Sequence, residues 1–251
     1  MTPIAPKRRL SGALAALLLA CAAAPAAHAQ EPSSGGTAAP EPVQPAPESG
    51  IVSVSGPVAV RARADTLLGT VARFRGVARA RDARRRVVIQ RFDATRTRWV
   101  AVARTTVGRH GGFIARWRAD QSGRLRVRAV LRPRPATSAR AVKRAGAFTA
   151  SAEMAVTIYR PAPATWYGPG FFGKQTACGQ TLRQDTLGVA HRTLPCGTKV
   201  ALFAGGRTIT VEVIDRGPYG GNARWDLTQA TAQALGMTAS QTVGAIPLPA
   251  G

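Results

Sequence analysis

Cysteine, histidine and acidic residues are all scarce in this 251-residue chain: three Cys, three His, and 12 Asp plus Glu against 35 Lys plus Arg. With so few ligands, and those far apart, no spacing suits a zinc site, and no other cofactor is implied. Long apolar runs are lacking as well. The one candidate, Leu10 to Ala20, is shorter than the about 20 residues that a membrane-spanning helix needs. Apolar residues at helical spacing are missing from the middle of the chain, which argues against a helical domain there.

What is present starts with an export pattern. Lys7, Arg8 and Arg9 precede the apolar run, and small residues then lead to Ala27-His28-Ala29, a cleavage-type signal before Gln30. Residues 1–29 therefore read as a signal peptide, and the product as secreted or held in the cell wall. An alternative lies inside the segment: Leu18-Leu19-Ala20-Cys21 has the form of a lipobox, which would leave Cys21 lipid-anchored to the outer face of a membrane. Once Cys21 is set apart, Cys178 and Cys196 remain. In an oxidising compartment they form a natural disulfide pair, the alternative being two separately buried thiols. Residues 30–50, dense in Pro, Ala, Ser, Gly and Glu, read as a disordered linker.

Charge is unevenly placed. From Gly50 to Pro163 there are 25 basic against 5 acidic residues, a net of +20; from Ala164 to Gly251 there are 7 against 4, a net of +3. The basic middle region, 51–160, alternates at the strand period. Runs at 87–91, 99–104, 113–117 and 124–130 are separated by turn residues such as His110-Gly111-Gly112 and Gln121-Ser122-Gly123. Short strands at regular intervals predict a small immunoglobulin-like β-sandwich. Trp99 and Trp117 are expected in its core. In 124–130, Leu125, Val127 and Ala129 should face inward, with Arg124, Arg126 and Arg128 outward. A positive field of this size attracts polyanions. No nucleic-acid-binding module accompanies it, so for an exported chain the expected targets are anionic wall polymers rather than nucleic acid.

The texture changes in 164–249. The opening Thr165-Trp166-Tyr167-Gly168-Pro169-Gly170 is aromatic and Gly-rich. Lys199–Phe203 and Thr208–Ile214 predict a hairpin about Gly205-Gly206, and Thr228 is placed to cap a short helix that Gly236 closes. Four motifs stand in order: W-Y-G-P-G, A-H-R-T-L-P-C-G-T ending at Thr198, V-I-D-R-G-P-Y ending at Tyr219, and D-L-T ahead of A-L-G-M. Over about 73 residues this run resembles the RlpA-like (rare lipoprotein A) double-psi β-barrel family. The resemblance implies a mainly β protein whose C-terminal part is a six-stranded double-psi barrel.

It also implies a chemistry, that of lytic transglycosylases, which cut the MurNAc–GlcNAc bond of peptidoglycan glycan strands and leave a 1,6-anhydro product. An acid must protonate the glycosidic oxygen, and a base must take the proton of the sugar's own C6 hydroxyl. No water need be positioned, so one carboxyl group can serve both steps. Asp215 stands at the family's catalytic Asp, and His191 at an active-site histidine that would orient Asp215 or touch the sugar. Asp226 resembles the acid of expansin-type barrels, or else lies ahead of the helix cap. Trp166, Tyr167, Tyr219 and Trp225 are candidate sugar platforms, and the family's paired cysteines match Cys178 and Cys196. One position departs: Gln180 stands where many members carry a Glu, and a Gln cannot transfer a proton. The alternative to an enzyme is therefore a non-catalytic, expansin-like wall-binding protein.

Overall fold

The structure is a computed structural model that describes residues 42–133 and 148–249. The signal segment, Cys21 and residues 30–41 of the expected linker lie outside the described residues. The first half comprises β1 (Ile51–Val54), β2 (Val58–Arg63), β3 (Asp65–Leu67), β4 (Val71–Ala78), β5 (Arg86–Asp93), β6 (Arg98–Thr106), β7 (Gly112–Arg118), β8 (Gly123–Leu131) and β9 (Thr149–Ala150). A long strand, β10 (Met154–Tyr167), leads into the second half. There follow β11 (Val189–Ala190), β12 (Lys199–Ala204), β13 (Arg207–Asp215), β14 (Trp225–Thr228), a short helix α1 (Gln229–Ala234) and β15 (Gln241–Pro247).

Two sheets face each other across the first core. One has the order β1-β2-β4-β7; the other runs β6-β5-β8-β10, with β3 and β9 at its margins. Period-two alternation explains the arrangement. In β4, Ala72, Phe74 and Ala78 point inward, and in β7 so do Phe113, Ala115 and Trp117, meeting Val87, Ile89, Leu125, Val127, Ala129 and Ile158 from the other sheet. The expected inward set of β8 is thus found, and Trp117 is buried.

Trp99 is not. It sits half-exposed on the outer face, edge-on to Phe92 with ring centroids 5.4 Å apart. A register shift between Ile89 and Gln90 of β5 accompanies this placement, and Phe92 pairs with Trp99 beyond it. Bulges of this kind break simple alternation. The outward arginines are also less free than expected. Arg126 pairs with Glu153 at 2.8 Å and lies over Phe92, while Arg128 bonds Gln90 and lies 4.0 Å from the centre of Trp99.

The second half closes into a ring. β10 pairs with β15, β15 with β12, β12 with β13, β13 with β11, β11 with β14, and β14 back with β10. The hairpin of β12 and β13 turns at Gly205 and Gly206, both at positive φ, as a tight two-residue turn requires. Thr228 caps α1, its hydroxyl accepting from Thr231 N, a contact of the type that contributes about 1 kcal/mol. Val189, Val200, Leu202, Val213, Leu227 and Val243 fill the ring.

The linker expectation needs correction for its C-terminal end. Ala46 is buried, and its N–H donates to Ala234 O at 2.8 Å; Thr208 N–H donates to Pro47 O at 2.9 Å. Small residues and prolines mark a disordered tether and an extended segment laid on a surface equally well, and only the backbone partners separate the two.

Candidate active site

Three stretches converge at one rim of the barrel: the end of β13, the turn after β11, and the adjoining pair β10 and β14. Asp215 ends β13. Its Oδ1 accepts the backbone N–H of Ala177 and that of Arg216, both at 2.8 Å, so the carboxylate is aimed by main-chain donors. Ala177 belongs to the loop between β10 and β11. Its neighbour Cys178 is disulfide-bonded to Cys196, with Cα atoms 5.8 Å apart. The bond ties the loop that holds Asp215 to the loop after His191.

His191 follows β11, and its backbone N–H donates to Asp215 O at 3.2 Å. Its Nδ1 accepts the N–H of Thr193 and of Leu194, at 3.2 and 3.1 Å. An accepting Nδ1 carries no proton, so the neutral ring presents Nε2–H. Burial, and then the charges of Arg224, Arg192 and Arg216, hold the imidazole below its usual proton affinity, in keeping with that form. The expectation that the ring orients Asp215 is not what the hydrogen bonds give: they tie the ring to its own turn. Its ring centre lies 4.5 Å from that of Trp225, the two rings tilted by 46°; Trp225 is buried and so walls the site rather than offering a platform.

Asp226 lies on β14 opposite Thr165 of β10, whose hydroxyl donates to its Oδ1 at 2.7 Å. Burial, and to a lesser extent the nearby Asp215 charge, raise the Asp226 carboxyl above the usual carboxylate range. The helix is capped by Thr228, two residues beyond Asp226. A carboxyl with greater proton affinity in the folded state favours folding in acid; that contribution is lost as pH rises from the ordinary range through the raised value. At neutral pH the ionised group is therefore a net cost. Asp226→Asn should melt higher than wild type near pH 7, and the gap should close below about pH 4, where both states hold the proton. Thermal melts across pH check this.

Tyr167 ends β10. Its hydroxyl is buried; burial, and then the Asp215 charge beside it, hold its proton more tightly than in a free tyrosine. Among the described residues it makes no hydrogen bond of ordinary geometry, and the Asp215 carboxylate is the acceptor beside it. Trp166 instead packs on the barrel core. Tyr219 stands 78% exposed in the turn after Asp215, and Gln180 is exposed in the Ala177 loop. The structure thus brings Asp215, His191, Asp226, Tyr167 and Trp225 together. Sequence reading assigned no role to Thr165, Ala177 or the three arginines. Thr165 stood inside a motif already noted, whereas a backbone N–H leaves no trace in a side-chain pattern.

A family model described as Lytic transglycolase matches residues 162–248. The chain is 47% identical over 81 residues to the endolytic peptidoglycan transglycosylase RlpA of Campylobacter jejuni, covering 32% of this chain and 30% of that one. It is 44% identical over 79 residues to the "Probable endolytic peptidoglycan transglycosylase RlpA" of Synechocystis, covering 31% of this chain and 25% of that one. The chain thus spans about a third or less of the length of these relatives. Among solved structures, the Streptomyces papain inhibitor matches with a TM-score of 0.27 and 26% identity, over 34% of this chain and 91% of that one. With its ring closed by six strands and its motifs in order, the segment 162–248 is an RlpA-like double-psi β-barrel.

Proposed function

We propose that this chain is an exported lytic transglycosylase that cleaves the MurNAc–GlcNAc bond of peptidoglycan to a 1,6-anhydro product. The observation that carries this reading is the pair of differently held carboxyls at one barrel rim. Asp226, half-buried and with raised proton affinity, is suited to hold a proton and donate it; Asp215, aimed by two backbone amides, is suited to receive one. In the step, Asp226 gives its proton to the glycosidic oxygen as the C1–O bond breaks. The C6 hydroxyl oxygen bonds to C1, and its proton passes to Asp215. Moving that proton back to Asp226 resets the site. The Nε2–H of His191 is a donor for the sugar, and Tyr167 stands beside Asp215.

A carboxyl at position 180 is not needed for this division of roles. A second reading, a barrel that grips glycan without cutting it, is favoured by Gln180 itself. Mass spectrometry of peptidoglycan digested with the protein decides between them. Anhydro-muropeptides are the expected result. Reducing-end products would mean a hydrolase, and binding without soluble products would mean the non-catalytic grip.

A further inference from the structure

The outer face of the sheet β1-β2-β4-β7 carries six arginines in a grid, two from each of three neighbouring strands: Arg61 and Arg63, Arg73 and Arg75, Arg116 and Arg118. All six side chains are exposed, and the antiparallel register sets like charges opposite one another, Arg61 facing Arg75 and Arg73 facing Arg116. Directly opposed like charges destabilise a sheet. Arg118 donates to the Gly69 carbonyl at 2.7 Å, but no carboxylate pairs with any of the six: among the described residues the ion pairs formed by Asp82, Asp93, Glu153 and Asp185 all go to other arginines. The contrast with the other sheet is direct, since Arg126 and Arg128 there are spent on Glu153, Gln90 and two aromatic rings. Exposed Ile51, Val71, Val77 and Ile114 lie between the charges. A cleft of about 530 Å³ is lined by Arg61, Arg63, Arg73 and Arg75 together with Ile51 and Val71.

A repeated, uncompensated guanidinium grid is repelled by itself and relieved by a ligand with many anionic groups. Strand spacing puts neighbouring positions about 5 Å apart across the sheet and about 7 Å apart along a strand. Planar guanidinium forks pair two-pronged with carboxylates, and a partly apolar surround weakens competition from water. We infer that this face is a second grip on the same polymer, binding the free carboxylates of peptidoglycan peptide stems while the barrel takes the glycan. The inference rests on the barrel's reading as peptidoglycan-active, since that reading names the polyanion at hand. It needs no additional polymer, and β10 runs without a break from this half of the molecule into the barrel.

The test uses the full chain and a variant with Arg61, Arg63, Arg73 and Arg75 all changed to Ser. Both are sedimented with sacculi cleared of phosphate polymers, and with the same sacculi after their carboxylates are amidated. Wild type should bind the carboxylate form about tenfold more tightly than the variant at low salt, the two converging as salt rises. On amidated sacculi wild type should fall to the variant's level. The variant should also melt higher than wild type at low salt, because the opposed charges are gone. Equal binding of variant and wild type to the carboxylate form would overturn the proposal. So would wild-type binding to the amidated sacculi that stays above the variant's. Release of anhydro products from soluble glycan strands without peptides is measured in parallel and should not differ between the two proteins. If neither protein releases them, it is the transglycosylase reading that fails, and the binding comparison still stands.

Discussion

Asp215→Asn should lower the release of anhydro-muropeptides by about 10²–10⁴-fold, the usual contribution of a positioned acid or base. The amide keeps an oxygen that can accept the N–H groups of Ala177 and Arg216, so the loop and fold should be retained. Binding to sacculi should likewise persist. Asp226→Asn should also lose activity, but the two losses have different chemistry. A glycoside with an activated aryl leaving group needs no protonation of the departing oxygen. It should restore much of the Asp226→Asn rate and little of the Asp215→Asn rate. The pH profile gives a second reading: activity should fall in alkali as Asp226 ionises, above the ordinary carboxylate range, and Asp226→Asn should remove that limb. Full activity in Asp215→Asn would end its assignment as the base.

Removing the Cys178–Cys196 bond should cost about 3 kcal/mol, the chain-entropy value for a loop of this size. For a compact unit of this length that corresponds to a fall in Tm of roughly 6–12 °C. The double Cys178→Ser/Cys196→Ser variant, or reduction of wild type, gives the measurement. The bond is next to Ala177, so turnover should drop at temperatures where circular dichroism still shows a folded chain. A variant that melts early yet turns over normally below its Tm would make the bridge a pure staple, with no part in aiming Asp215.

How much was legible in the sequence follows from the kind of signal each element leaves. The hairpin at Gly205-Gly206, the cap at Thr228 and the inward face of β8 were readable because each depends on residues near in sequence. Trp99 was misplaced because its own strand carries an extra residue, Val102, between the partners of Ile89 and Gln90, and a regular alternation read along the strand passes over it. The docked segment at Ala46 was missed for a related reason: its partners, Ala234, Gly206 and Thr208, are supplied by the distant barrel. At the candidate site, Asp215, His191 and Asp226 were singled out through the order of motifs. Their differing environments were not, because the partial burial of Asp226 and the amides aimed at Asp215 arise only when β10, β13 and β14 meet. The arginine grid without carboxylate partners was hidden in a count of net charge, which records how many arginines there are but not which are paired with an acid.

The strand β10 has a thermodynamic consequence. Its first residues pair with β8 and its last with β15 and β14, and between them Tyr159 stacks on Phe203 while its hydroxyl donates to Asp65 at 2.9 Å. Ala201 and Ile246 complete a small apolar cluster there with Leu67 and Leu248. Neither half can melt without baring this cluster and stripping one end of a strand the other half still uses. Two domains joined by a loose tether unfold independently; these two should unfold together. Scanning calorimetry should therefore give one endotherm whose calorimetric and van't Hoff enthalpies agree, so that the melting point of the charged half and that of the barrel are a single number.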